Sequence, residues 1–114
     1  MSLKKFPLRT ELGRYRLVEW DQIFYIEAER DDSLVRTARK GLHHHLEPLH
    51  DLESRLPSPP FFRIHRSYLV NLDRAFELRQ RGQGEYEIKM DPPVNKVLPV
   101  SRKRYPELRE MVGL

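Results

Sequence analysis

Short runs of alternating apolar and polar residues, separated by turn-forming residues, follow one another along most of the chain. Alternation with a period of two is typical of half-buried β-strands. It predicts strands at 6–10, 14–18, 22–29, 33–38, 42–46, 75–79, 85–90 and 96–100. The run QIFYIEAE is the strongest of these, because it is rich in β-branched and aromatic residues. The segment QRGQG, at 80–84, predicts a hairpin loop between two of the strands.

The segment EPLHDLESRL carries apolar residues at helical spacing instead. Leu49, Leu52 and Leu56 fall on one stripe of a helix. Pro48 suits the first helical position, and Pro57 ends the segment. The pattern therefore predicts a short helix before the middle of the chain.

The segment SRKRYPELREMV predicts a second short helix, near the end of the chain. Tyr105, Leu108 and Val112 would form its apolar stripe. The ring of Pro106 would clash inside an established helix, so we expect the regular helix to begin there. Residues 101–105 would then form a turn that presents its basic side chains outward.

The stretch FFRIHRSYLVNL, at 61–72, poses a problem for a simple strand. Alternation places Phe62 and Ile64 on one face and Arg63 and His65 on the other. Arg66 would then share the apolar face, where an unpaired guanidinium is costly. Either Arg66 pairs with a buried acid, or the strand breaks near His65 and Arg66 turns outward.

These elements indicate a mainly β fold with two short helices, in a single domain. The segment 1–14 would supply an N-terminal segment and the first strand, and 15–114 the body of the domain. The length of 114 residues suits one domain with a modest core. No apolar run approaches the roughly 20 residues that a membrane span needs.

Charge adds information mainly through its distribution. The net charge is +4, and basic residues cluster at Arg63–Arg66 and again at Lys96 and Arg102–Arg104. We expect the two clusters to converge on one face. The chain has no cysteine, which excludes a disulfide framework and a thiolate metal site and fits a reducing cytoplasm.

Two other groups of residues contain the residue types of a metal site and of a catalytic triad. In LHHHL, His43 and His45 share a strand face, but a zinc site needs three or four ligands, so a solvated face is the preferred interpretation. His65, Ser67 and Asp73 are the residue types of a catalytic triad without its arrangement. We expect neither an enzyme nor a bound metal or cofactor.

Taken together, FFRIHRSYLVNLDR and the later LPVSRKRYPEL closely resemble the signature of the LytTR family of DNA-binding domains. The order of QIFYIEAE, a short helix, this motif, a hairpin and the V-S-R segment also matches. The resemblance covers about residues 15–112. It implies an elongated arrangement of small antiparallel sheets and sequence-specific binding to double-stranded promoter DNA at repeated sites, with loops entering successive major grooves.

The resemblance also assigns roles to individual residues. The expected base contacts are Arg66, Arg102 and, in the loop after the YIEAE strand, Arg30 and Ser33. That loop departs from the family pattern because it carries two acids. The expected contacts to phosphate are Arg63, His65, Ser101, Lys103 and Arg104.

The resemblance further implies a cytoplasmic transcription regulator, in which a receiver or other sensory domain accompanies this one, and a dimer on DNA without contact to a membrane. A small β module that binds a protein or senses a ligand, with a solvated basic face, is the alternative hypothesis. An RNA-binding domain would need an exposed row of stacking aromatic side chains, which this sequence lacks.

Overall fold

A computed structural model of the protein describes residues 3–39 and 42–114. Within them the chain forms strands β1 (Lys5–Glu11), β2 (Arg14–Glu19), β3 (Ile23–Glu29), β4 (Asp32–Thr37), β5 (Leu42–His45), β6 (Phe61–His65), β7 (Tyr68–Asn71), β8 (Ala75–Gly82), β9 (Glu85–Met90) and β10 (Val97–Val100). The α-helices are α1 (Leu49–Arg55) and α2 (Tyr105–Met111), and short 3-10 helices cover Trp20–Gln22 and Leu72–Arg74. Residues 1 and 2 of the predicted N-terminal segment lie outside the described part.

The strands of the described residues form three antiparallel sheets. β1 and β2 pair as a hairpin, and β10, β9 and β8 form a three-stranded sheet. The central sheet has five strands in the order β5, β4, β3, β7, β6. The described residues extend over 47 × 30 × 26 Å, so the predicted elongated, mainly β arrangement of small antiparallel sheets is confirmed. No helix in the described part combines the length and apolar character that crossing a membrane requires.

Apolar side chains pack against both faces of the central sheet. The core that includes β1 and α1 consists of Phe6, Leu8, Ile23, Ile26, Val35, Leu49, Leu52, Leu56, Phe61 and Leu69. The core that includes the three-stranded sheet and α2 consists of Phe24, Tyr25, Phe62, Ile64, Val70, Ile88, Met90, Leu98, Val100 and Leu108. Phe61 and Phe62 enter different cores because successive strand residues point to opposite faces. Strand β6 is therefore fixed from both sides.

The predicted strands occur with small differences at their ends, and the hairpin loop is shorter than expected. β8 continues to Gly82 and β9 begins at Glu85, so only Gln83 and Gly84 separate them. Gly84 has a φ angle of +74°, in the left-handed region that glycine tolerates best. The sequence QRGQG therefore extends the ladder by three residues before the chain turns.

Helix α1 agrees with its predicted apolar stripe. Leu49, Leu52 and Leu56 are all buried. Pro48 is the N-cap and not the first helical residue, and the helix ends at Arg55. The stripe thus packs α1 into the core that includes β1, on one face of the central sheet.

Helix α2 begins at Tyr105, one residue before the predicted start. Pro106 is accommodated because N–H groups in the first turn of a helix have no intrahelical acceptor. Leu108 is fully buried, as predicted. The prediction for Val112 was wrong, because the helix ends at Met111 and Val112 is 45% exposed.

The histidine run is not a uniformly solvated face. His45 is only 1% exposed, and its Nδ1 accepts the Arg9 N–H at 2.9 Å. Its Nε2 lies 3.1 Å from Oδ2 of Asp51, to which it donates. His45 therefore joins β1, β5 and α1, and the predicted wet environment was wrong for this residue. In the part of the chain that the structure describes, no three His, Cys, Asp or Glu side chains are grouped to hold a metal ion.

Candidate nucleic-acid interface

The strand problem at Arg66 is resolved by a turn. β6 ends at His65 and β7 begins at Tyr68, with Arg66 and Ser67 between them. Arg66 is exposed, and its side chain makes no hydrogen bond or ion pair with the other described residues. Of the two possibilities left open by the sequence, the break near His65 is therefore correct. We call Arg66 and Ser67 the β6–β7 turn.

The imidazole of His65 supports this turn. Its Nδ1 accepts the backbone N–H of Ser67 at 3.0 Å, and its ring packs against Tyr68 with 5.6 Å between centroids. Burial lowers the pKa of His65, and the positive charges of Arg66 and Arg63 lower it further. The ring is thus neutral near pH 7, and its Nε2–H is available as a donor.

All three nitrogens of the Arg63 guanidinium donate hydrogen bonds within the domain. Its Nε donates to the His65 carbonyl at 2.9 Å, its Nη1 to Oε1 of Glu53 at 2.7 Å, and its Nη2 to the Arg66 carbonyl. The side chain is only 16% exposed. Because each nitrogen already has an acceptor within the domain and only one N–H of each terminal nitrogen remains, this geometry favours a structural role for Arg63 over the predicted phosphate contact.

The second basic segment forms a turn that docks on β6. The backbone N–H of Ser101 donates to the Ile64 carbonyl at 2.9 Å. Oγ of Ser101 accepts the Arg104 N–H at 3.2 Å, as expected for a serine that opens a turn. Lys103 is exposed, and Arg104 is half-buried. We call residues Ser101–Arg104 the basic turn.

The hairpin between β8 and β9 holds the basic turn in place. Nε of Arg102 donates to the Gly84 carbonyl at 3.0 Å, which leaves the two terminal nitrogens of its guanidinium. Tyr105, directly after the turn, stacks on Tyr86 of β9 with 3.5 Å between centroids and 7° between ring planes. The side chain of Arg102 is thereby pre-oriented although it is exposed.

The basic residues at Arg63–Arg66 and Arg102–Arg104 converge, as expected from the sequence, whereas Lys96 lines neither of the two grooves described next. One groove is lined by Arg63, His65, Arg66, Ser101, Lys103 and Arg104. An adjoining groove, which shares His65 and Ser101, is lined by Arg102 and Gly84 and also by the acids Glu85 and Glu87. We call the first the basic groove; its six lining residues include four cationic side chains and no carboxylate. Such a surface attracts an anionic polymer and presents several donors to it.

The loop after β3 lies at the same end of the central sheet. β3 pairs antiparallel with β7, and the Ala28 N–H donates to the Ser67 carbonyl at 2.8 Å. Arg30 occupies the turn with a φ angle of +56° and is exposed between two exposed acids, Glu29 and Asp31. Its neighbourhood is therefore less basic than the groove.

Ser33 does not fit its predicted role as a base contact. The residue is 0% exposed, and its hydroxyl donates to the Glu47 carbonyl at 2.7 Å. It closes β4 against the segment before α1. A side chain that is buried and already bonded cannot reach a nucleic acid, so Ser33 leaves the candidate set.

Sequence reasoning missed three supports of the site: Glu53, Gly84 and the pair of Tyr86 with Tyr105. The glycine alone carried a local signal, since glycine in a hairpin loop often marks a positive φ angle. The other contacts join residues that are far apart in the chain. They could not be inferred without the packing of α1, β9 and α2 around β6.

Comparisons with known proteins agree with this arrangement. The sequence model of the LytTr DNA-binding domain matches residues 13–113. The transcriptional regulatory protein YpdB of Escherichia coli K12 is 31% identical over 96 residues, which cover 82% of this chain and 38% of YpdB. The CO-responsive transcriptional regulator RcoM of Rhodospirillum rubrum is 33% identical over 115 aligned positions, covering 98% of this chain and 46% of RcoM.

A solved structure provides a comparison of the fold alone. The LytTr DNA-binding domain of a Bacillus cereus response regulator matches with a TM-score of 0.83 at 21% identity, over 99% of this chain and 100% of that one. The present chain spans less than half the length of YpdB and RcoM. Because the family match extends over nearly the whole chain, the protein belongs to the LytTR family of DNA-binding domains.

Proposed function

We propose that this domain binds double-stranded promoter DNA in a sequence-specific manner, as the DNA-binding part of a transcriptional regulator. Its family and the regulatory role named for its relatives support this function. The single observation that carries the proposal is the convergence of the β6–β7 turn and the basic turn on one groove. Two turns that are distant in sequence meet there. None of the six lining residues carries a carboxylate, although Glu53 of α1 pairs with the lining residue Arg63.

We assign base recognition to Arg66 and Arg102. A guanidinium can donate two parallel hydrogen bonds to O6 and N7 of guanine in the major groove. Arg66 is exposed on its turn. Gly84 holds Nε of Arg102, and the two terminal nitrogens of Arg102 make no hydrogen bond or ion pair with the other described residues. As the family resemblance implies, turns and not a recognition helix would enter successive major grooves. Arg30 would add a contact from the neighbouring turn.

Lys103, Arg104, His65 and Ser101 would bind phosphates. Lys103 is exposed, and a lysine ammonium acts on phosphate as a mobile point charge. Neutral His65 can donate its Nε2–H. The Ser101 hydroxyl accepts the Arg104 N–H, so its own proton remains available to a phosphate oxygen. Contacts of this kind fix the register of a protein on the duplex.

In the cell we propose that the domain works in the cytoplasm, within a longer protein that contains a receiver or other sensory domain. Two copies would bind repeated promoter sites as a dimer. The role is binding and not catalysis. These features rest on the family resemblance together with the coverage of the relatives, of which this chain matches 38% and 46%.

Selection from a random duplex pool, followed by titration of the selected and a scrambled duplex, tests the proposal. Specific affinities exceed non-specific ones by roughly 10³-fold or more for typical regulators, so we expect a clear preference. Equal binding to both duplexes, or no binding at moderate salt, would contradict the proposal. Absence of binding would favour a module that binds an acidic protein or a ligand, whereas equal binding would indicate non-specific DNA binding.

A further inference from the structure

We propose that Arg63 is a positioning residue which, together with Glu53 of α1, sets the shape of the β6–β7 turn from inside and so determines where Arg66 is presented. This inference rests on the proposed function, because it concerns the recognition of DNA by Arg66. It assigns a specificity role to a helix residue, Glu53, that would not itself touch DNA.

The contacts of Arg63 involve all three nitrogens of its guanidinium, through three of its five N–H groups. Three nitrogens reach three different acceptors: Nε the His65 carbonyl at 2.9 Å, Nη1 the Glu53 carboxylate at 2.7 Å, and Nη2 the Arg66 carbonyl. Planar guanidinium geometry makes such a pattern rigid. The group thereby ties the carbonyl of His65, at the end of β6, and the carbonyl of Arg66, in the turn, to α1.

The turn is held a second time from its other side. His65 Nδ1 accepts the Ser67 N–H at 3.0 Å, while the Ala28 N–H donates to the Ser67 carbonyl at 2.8 Å. The backbone on both sides of Arg66 is therefore bonded inward. The Arg66 side chain itself is exposed and makes no hydrogen bond or ion pair with the other described residues.

The low exposure of the Arg63 side chain favours a positioning role over direct binding of phosphate. The Arg63 side chain is 16% exposed, and its partner Glu53 is 38% exposed. Freeing the guanidinium would remove its hydrogen bonds to the His65 and Arg66 carbonyls, and breaking a charge-assisted bond costs more than breaking a neutral one. Arg63 thus contributes to binding by maintaining the turn.

Arg63→Lys and Glu53→Ala test this inference, because they separate charge from geometry. Lysine keeps the positive charge but cannot bridge three acceptors in a plane. Alanine at Glu53 removes a negative charge and the anchor on α1. The matched control is Glu47→Ala: its carboxylate also pairs with an arginine, Arg9, at 2.7 Å and is 35% exposed.

The readout is the ratio of affinities for the selected and scrambled duplexes, with a melting curve and a salt titration for each variant. We expect Arg63→Lys and Glu53→Ala each to lower that ratio about tenfold. The salt dependence should remain unchanged. Glu47→Ala also removes a negative charge, so it should strengthen binding to both duplexes equally. It should leave the ratio unchanged, because Glu47 pairs with Arg9 and not with Arg63.

If Arg63 instead bound phosphate directly, both variants would give different results. Arg63→Lys would then keep the ratio. Glu53→Ala would also keep the ratio and would tighten binding to both duplexes more than Glu47→Ala does, because it releases the guanidinium as well as removing a negative charge. Either result overturns the inference, and if Arg63→Lys does not fold, Glu53→Ala alone decides. Loss of preference in the unaltered protein would instead refute the proposed function, so the two failures are distinguishable.

Discussion

Gly84 offers a sharp test of how the hairpin supports the interface. A Cβ atom at this position would lie 2.9 Å from Nε and 3.2 Å from Cζ of Arg102. The residue also has a φ angle of +74°, which disfavours any L-amino acid. Gly84→Ala therefore combines two perturbations: backbone strain and displacement of Arg102 from the Gly84 carbonyl.

The two effects differ in size and in the property that they change. Left-handed backbone costs an alanine roughly 1–2 kcal/mol, which should appear as lost stability. For a domain of this size each kcal/mol corresponds to a Tm decrease of roughly 4 °C. Loss of the bond between Arg102 and Gly84 is worth about 1 kcal/mol, or about fivefold in preference at one base position. The steric overlap itself is relieved cheaply, since it involves the far end of a flexible side chain.

Two other glycines separate these contributions. Gly13 has a φ angle of +77°, but a Cβ atom there would meet no heavy atom within 4 Å, so Gly13→Ala introduces strain alone. Gly82 lies in the same hairpin without a left-handed φ angle, and its Cβ would meet Glu85 at an ordinary 3.6 Å. We expect Gly13→Ala to lower Tm without changing specificity, and Gly82→Ala to change neither.

Thermal melting and titration of the selected duplex, with substitutions at each base pair, provide the assay. Gly84→Ala should lower Tm as Gly13→Ala does, and in addition relax preference at a single base position. If Gly84→Ala loses no more specificity than Gly13→Ala, the hairpin does not orient Arg102 for recognition. The inferred role of the Nε contact would then be refuted.

Three further predictions follow from the basic groove. Arg66→Ala should cost about 1–3 kcal/mol of binding free energy on the selected duplex and relax the preference at one base position. Lys103→Ala should weaken binding to the selected and scrambled duplexes alike and reduce the salt slope by about one. A sharp Tm decrease in Arg66→Ala with intact specificity would contradict the assignment of Arg66 to base recognition. With about six phosphate contacts, affinity should fall roughly 10³-fold between 50 and 200 mM salt, and a flat response would argue against DNA as the ligand. The folded pKa of His65 lies below the ordinary 6.5, so its contribution to stability should be complete above pH 6.5 and decline as the pH falls through the folded pKa. His65→Gln should therefore flatten the acidic part of a profile of Tm against pH. An unaltered profile in this variant would refute the inferred role of His65.

Much of the fold could be predicted from the sequence because period-two alternation and turn residues are local signals. They identified most strands, and the leucine stripe identified α1. Predictions failed where burial depended on distant partners. His45 looked solvated until β1 and α1 covered it, and Val112 fell beyond the end of its helix.

The candidate site shows the same division. Arg66 and Arg102 were selected from motifs, and the structure brings their turns together on β6. The sequence could not distinguish an outward cation from an inward one. Arg63 and Ser33 were therefore assigned to DNA, although their partners, Glu53 and the Glu47 carbonyl, lie on the segment around α1.

The burial of β6 on both faces has a thermodynamic consequence for DNA binding. Phe61 in one core and Phe62 and Ile64 in the other leave the strand little freedom to rearrange when a ligand arrives. Complex formation then requires little ordering of the backbone. Calorimetry should accordingly find a heat capacity change that matches the contact surface, without the larger negative term that accompanies folding on binding.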